Sequence, residues 1–208
     1  MKLIKQFFLV LALLVTPHAF AAPEVGKGYT LINPPQPTNT GTKIEVLEFF
    51  FYGCSHCFTL HPLLSNWEKK MPKDVELVYV PTIFSNPMEP MARTFYALES
   101  LGQIKKLHDA LFDAWNVDNI DLSDEARITE FVSKHGVDRK KFGEAYNAFA
   151  MQSKVMRSKQ MAQSYGIRGT PTLIVDGKYL ITGLRPAETM LALDAVIDQA
   201  RKERARKR

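Results

Sequence analysis

The sequence predicts an α/β sheet domain interrupted by an all-helical insertion, on three observations. Residues 43–51, KIEVLEFFF, form a β-branched and aromatic run, followed by a stripe of helical period and then a second run, VELVYV, at 75–80. The stretch 81–165 carries helical periodicity and no strand signal. Strand character then returns around Asp176-Gly177 and gives way to one last helix.

Each element has its own local cause. Residues 29–32, YTLI, read as a short edge strand, and NPPQPTNTGT (33–42) as a loop dense in turn formers. The run 43–51 is apolar at nearly every position, which suits a strand covered on both faces; Glu48 is the carboxylate in its second half. From Cys57 the period changes. Cys57, Leu60, Leu64, Trp67 and Met71 recur at three- and four-residue steps, one face of an amphipathic helix. Pro62 lacks an N–H and is expected to kink it. Pro81 stops the next strand, and a strand–helix–strand unit of this length predicts a parallel pair with a right-handed crossover.

In the helical block, Met91, Phe95, Leu98 and Leu101 make one stripe and Ile104, Leu107, Leu111 and Trp115 a second. Ser123 is the expected cap of a third helix, with Ile128, Phe131 and Val132 on its apolar face. Phe142, Ala145, Tyr146 and Phe149 make a fourth stripe, and a more polar helix runs to Tyr165. Gly102, Gly136 and Gly166 punctuate these pieces. PTLIV (171–175) and KYLIT (178–182) flank Asp176-Gly177, a two-residue hairpin signal, and Pro186 stands at the start of the final helix. The predicted division is a leader at 1–21, a sheet domain at 22–80 and 166–208, and the helical insertion at 81–165.

Composition narrows the function classes. Lys2 and Lys5, the apolar run 7–15, the break at Thr16-Pro17 and Ala19-Phe20-Ala21 form the pattern of a cleaved export signal. That run is too short to span a membrane, so a mature chain in an oxidising compartment, the periplasm, is expected. With 46% apolar and 24% charged residues the body is globular, and two cysteines are too few for a disulfide scaffold. The formal charge of +5 sits largely in the tail 201–208. No basic face is left to suggest nucleic-acid binding. The tail is expected to be a solvated helix end, with contact to anionic lipid headgroups as the alternative.

Cys54 and Cys57, the only cysteines, lie at the junction of strand and helix with Ser55 and His56 between them. At a helix N-terminus the free N–H groups and the macrodipole favour a thiolate, which lowers the pKa of Cys54. His56 adds a donor or a positive charge beside the same sulfur. Cys57, one turn inward on the apolar stripe, is shielded and fit to resolve. A bare structural bridge would close too short a loop to stabilise much. A zinc site from Cys54, His56, Cys57 and His61 would lack the second ligand pair that structural zinc usually takes. His61 is expected to be a partly exposed helix residue. Redox catalysis is the preferred reading, with no metal and no cofactor.

VLEFFFYGCSHC, a helical block and GIRGTPTLIVDGKY, taken with the export signal, resemble the DsbA group of the thioredoxin superfamily, exported thiol:disulfide interchange proteins. The resemblance covers essentially the whole chain after the leader. It implies a thioredoxin fold with a helical insertion, a cis Thr170–Pro171 bond facing the cysteines, and a Thr170 backbone that pairs with extended substrate. It implies that Glu48 is the buried acid relaying a proton to or from Cys57. It further implies reduced, unfolded exported proteins as clients and re-oxidation by a DsbB-type, quinone-linked inner-membrane partner. Three departures stand out. The lysine that faces the buried acid in well-known members is absent, Val78 and Tyr79 occupying that stretch; the dipeptide is Ser55-His56, not Pro-His; and Thr170 replaces a frequent Val.

The resulting expectation is a monomeric periplasmic dithiol oxidase, with Phe51, Tyr52 and Phe58 as candidates for an apolar surface that accepts unfolded chains. A periplasmic reductase or isomerase is the enzymatic rival, although the segment before the first strand is too short for a dimerisation domain. A peptide-binding chaperone with incidental cysteines is the rival of another class.

Overall fold

The computed structural model describes residues 26–206; the expected leader, 1–21, lies outside them. In chain order the elements are β1 Thr30–Leu31, β2 Ile44–Phe50, α1 Ser55–Glu68, β3 Val75–Pro81, a 3₁₀ turn Asn86–Met88, α2 Glu89–Ser100, α3 Ile104–Asn116, α4 Glu125–Lys134, α5 Arg139–Tyr146, α6 Phe149–Ser164, β4 Thr172–Val175, β5 Tyr179–Thr182 and α7 Pro186–Arg206.

The five strands form one mixed sheet in the order β1-β5-β4-β2-β3. β2 pairs parallel with β3 from Ile44↔Val75 to Phe50↔Pro81, and antiparallel with β4 from Val46↔Val175 to Phe49↔Thr172. Its central place explains its composition, since all seven residues are buried. Because side chains alternate across a strand, Ile44 and Val46 pack with Leu64 of α1 and Leu193 and Val196 of α7, whereas Leu47 and Phe49 pack with Ala162 and Tyr165 at the end of α6. Glu48 therefore lies on the α1 face, between Val46 and Phe50.

The β4–β5 hairpin turns at Asp176 (φ 54°) and Gly177 (φ 65°), both in the left-handed region, which the two-residue hairpin demands. Glycine is required at 177 for a second reason. A Cβ there would lie 2.0 Å from the Gln36 carbonyl oxygen, in the loop before β2.

α2 to α5 and the start of α6 form a second core with Phe50, Tyr52 and Cys57, built on Met91, Phe95, Leu107, Leu111, Phe112, Ile128 and Phe142. The two cores therefore meet at the end of β2. Two boundaries differ from the sequence expectation. α4 is capped by Asp124, whose carboxylate accepts the Arg127 N–H at 3.0 Å, and not by Ser123. The stripe that joined Phe149 to Phe142 breaks at Asn147-Ala148; Phe149 opens α6 and is 93% exposed. Its i+3 spacing from Tyr146 is real, but the chain turns before Phe149 can reach the core.

The basic end of α7 is tied down more than expected of a solvated helix end. Arg201 pairs with Asp74 (2.7 Å), Arg204 pairs with Asp176 and donates to the Thr42 carbonyl (2.7 Å), and Lys178 pairs with Glu203 (2.5 Å). Among the described residues, no helix is long and apolar enough to cross a membrane.

Candidate active site

β2 ends at Phe50, and residues 51–54 turn tightly, the Cys54 N–H donating to the Phe51 carbonyl at 3.0 Å. Cys54 has extended backbone (φ −91°, ψ 112°) and is the N-cap of α1. Its sulfur accepts the Cys57 N–H at 3.3 Å, and its carbonyl accepts the Phe58 N–H at 2.9 Å. A sulfur here occupies the place where Ser or Asp oxygens cap other helices.

The two thiols sit in opposite environments. Cys54 is half-buried and Cys57 is 0% exposed. The Cys54 thiol is held at about 5, from an ordinary 9.0, first by the hydrogen bond from the Cys57 thiol, then by the Thr170 side chain and by the backbone N–H groups of Cys57 and His56; burial opposes them. Burial, followed by that same hydrogen bond in which Cys57 is the donor, pushes the Cys57 thiol far up. One sulfur is stable as an anion at neutral pH, and the other must be protonated whenever it is not bonded.

The Thr170–Pro171 peptide is cis. It comes beside the cysteines: the protonated Cys54 thiol donates to the Thr170 carbonyl at 3.3 Å. A cavity of about 420 Å³ continues from there, lined by His56, Thr170, Pro171, Leu184 and Pro186 among others. His56 is exposed, and it is its backbone N–H that reaches Cys54. A second cis bond, Asn33–Pro34, was not expected from the sequence.

Glu48 is 1% exposed, so its carboxyl does not face water. Burial, then the charges of Glu68 and Cys54, push its carboxyl up to about 8. Its Oε1 has no hydrogen-bond partner. In the place where a lysine was missed, Tyr79 stands opposite Glu48 and donates to Glu68 at 2.9 Å.

Two expectations need correction. His61 is not partly exposed; it is buried, bonded through Nε2 to Asp109 at 2.7 Å and stacked on Phe112. Tyr52 is not part of an exposed apolar surface. It is 1% exposed, and its hydroxyl meets His108 Nδ1 at 2.7 Å. Both changes have one cause, since α3 folds over the start of α1 and over the turn before it. Phe51 and Phe58 are half-buried against the same helical core. Sequence reasoning missed His108, Trp115 and Asn116 as neighbours of the redox turn. Their only signal is membership of an amphipathic helix, which does not say what the helix covers.

Comparison with known proteins agrees with this geometry. A DSBA-like thioredoxin domain profile matches residues 80–193, spanning the helical block, the cis-proline and the hairpin. The chain is 38% identical over 178 residues to the thiol:disulfide interchange protein DsbA of Bordetella parapertussis, covering 84% of this chain and 85% of that protein. It is 34% identical over 179 residues to the DsbA of Pseudomonas aeruginosa, covering 85% of each. The crystal structure of Pseudomonas aeruginosa DsbA superposes with a TM-score of 0.83 at 34% identity, over 88% of this chain and 96% of that one. The oxidoreductase DsbA from Xylella fastidiosa gives 0.82 at 29% identity, over 87% and 99%. With a Cys-x-x-Cys at a helix N-terminus, a cis-proline against it and a helical block set into a thioredoxin fold, the chain belongs to the DsbA-like family of thiol:disulfide oxidoreductases.

Proposed function

We propose that the protein is a periplasmic dithiol oxidase that donates a Cys54–Cys57 disulfide to newly exported proteins. The observation that carries this reading is the asymmetry of the pair, an accessible sulfur held near a pKa of 5 beside a buried one pushed the other way. Stabilising the reduced form makes the disulfide a stronger oxidant, by roughly 30 mV for each pKa unit below ambient pH.

A substrate thiolate attacks Cys54 Sγ. The intramolecular S–S bond breaks, a mixed disulfide forms, and the electron pair goes to Cys57, which takes up a proton. Glu48, protonated at neutral pH and on the α1 face of β2, is the source of that proton. A second substrate thiolate then attacks the substrate's own sulfur and expels Cys54 as a thiolate. Two electrons pass to the protein and one disulfide to the client. Thr170 and Pro171, at the mouth of the 420 Å³ cavity, receive the client in extended form. The unit 22–80 with 166–208 carries the chemistry, and 81–165 covers it. Re-oxidation falls to a DsbB-type, quinone-linked inner-membrane partner, and the protein acts as a monomer.

Mixing the oxidised protein with a reduced, unfolded substrate tests this. The substrate gains one disulfide per protein molecule reduced, and Cys57→Ser whose Cys54 is first charged with glutathione exchanges it for the substrate, releasing glutathione and leaving a mixed disulfide that Cys54→Ser does not form. Refolding activity that survives in the double Cys→Ser variant overturns the reading in favour of a chaperone.

A further inference from the structure

The turn that delivers Cys54 is held from outside the sheet domain, by one residue gripped at both ends. Tyr52 is the second residue before Cys54. Its hydroxyl meets His108 Nδ1 at 2.7 Å, and its carbonyl accepts from Asn116 Nδ2 at 2.8 Å. His108 and Asn116 are both on α3, eight residues apart, so a single helix of the insertion holds the ring and the backbone of the same tyrosine. The Asn116 amide is itself fixed, since Nδ2 also donates to the Phe112 carbonyl at 2.9 Å. The next residue, Gly53, has no space for a side chain. A Cβ there would lie 2.5 Å from the Phe51 ring and 2.9 Å from Trp115 Nε1, the neighbour of Asn116 on α3.

We propose that Asn116 is a positioning residue for the redox centre, its amide holding the Tyr52 carbonyl so that the 51–54 turn sets Cys54 at the N-terminus of α1. The inference rests on the oxidase reading above. β2 has ended at Phe50, so the sheet does not fix Tyr52. The Cys54 sulfur accepts the Cys57 N–H at 3.3 Å, a contact that depends on where the turn leaves the sulfur. Hydrogen bonds to an anion weaken steeply with distance and angle. Without the Asn116 amide the carbonyl is left without its partner, and the turn relaxes away from α3. The insertion thereby sets the acidity of Cys54, although the hydrogen bonds to that sulfur come from Cys57, Thr170 and His56.

Asn116→Ala and the near-isosteric, uncharged Asn116→Leu test this by titration of thiolate absorbance in the reduced proteins. Leu111→Ala, a fully buried position on the same helix, serves as the control for destabilisation alone. Both Asn116 variants raise the thiolate midpoint by about one pH unit and move the equilibrium with glutathione about tenfold towards the oxidised protein. Leu111→Ala lowers the unfolding midpoint and leaves the titration where it is. If both Asn116 variants lose stability but titrate with the wild type, Asn116 is merely structural and the inference is overturned. A wild-type midpoint in the ordinary thiol range instead overturns the oxidase reading itself, and the inference with it.

Discussion

Glu48 and Tyr79 stand opposite each other across the parallel β2–β3 ladder, yet the Tyr79 hydroxyl is donated to Glu68 and leaves Glu48 Oε1 without a partner. The missing lysine is therefore replaced by a tyrosine that serves a different acid. A buried carboxyl with the negative charges of Glu68 and Cys54 for neighbours is stable only when protonated.

The pH dependence of stability follows. The folded value of Glu48, about 8, lies above its ordinary 4.5, so the folded protein binds more protons between those limits. Stability from this group is complete below pH 4.5 and falls as pH rises towards 8. Glu48→Gln removes that slope, gaining on the wild type by a few kcal/mol between pH 5 and pH 8. Urea midpoints of both proteins across that range check it. Oxidation of substrate by the variant slows about a hundredfold, because the leaving Cys57 loses its proton source.

Cys54 has the opposite sign. Its folded value of about 5 lies below its ordinary 9.0. The stability it gives the reduced protein is complete above pH 9 and is lost as pH falls through 5. At neutral pH this amounts to about 1–2 kcal/mol after allowance for screening at a half-exposed sulfur. Reduced wild type should exceed Cys54→Ser by that amount at pH 7, with the gap closing by pH 4. Parallel denaturation of the two proteins measures it.

Gly177→Ala should destabilise by about 2–4 kcal/mol, because the new methyl meets the Gln36 carbonyl and the residue keeps a positive φ. The hairpin lies at the end of β4 away from the cis-proline, so the Cys54 titration stays unchanged. Urea denaturation and thiolate absorbance on one preparation separate the two effects.

Arg204→Ala should cost about 1–2 kcal/mol, since Arg204 binds Asp176 through two nitrogens and the Thr42 carbonyl through a third contact. Arg204→Lys should recover only part of that loss, because an ammonium cannot reproduce the fork. Thermal unfolding of the three proteins ranks them.

What was legible in the sequence was local. The all-buried run of β2, the Cys54 cap on α1, the Asp176-Gly177 hairpin and the start of α7 each carry their cause within a few residues. The cis Thr170–Pro171 bond was legible only through resemblance. What escaped depends on distant packing. Nothing near His61 signals that Asp109 will meet it, and nothing near Tyr52 signals that His108 and Asn116 will hold it. Likewise, the partners of Arg201 and Arg204 in the basic tail, Asp74 and Asp176, are 127 and 28 residues away.

The redox equilibrium of the Cys54–Cys57 pair with glutathione at pH 7 tests the central claim most directly. A thiol titrating at ambient pH gains nothing from ionisation, as in thioredoxin at about −270 mV. A Cys54 held two pH units lower places this pair about 60 mV higher, at about −210 mV. A value at or below that of thioredoxin contradicts the account, because a disulfide so hard to reduce would not be surrendered to a client protein.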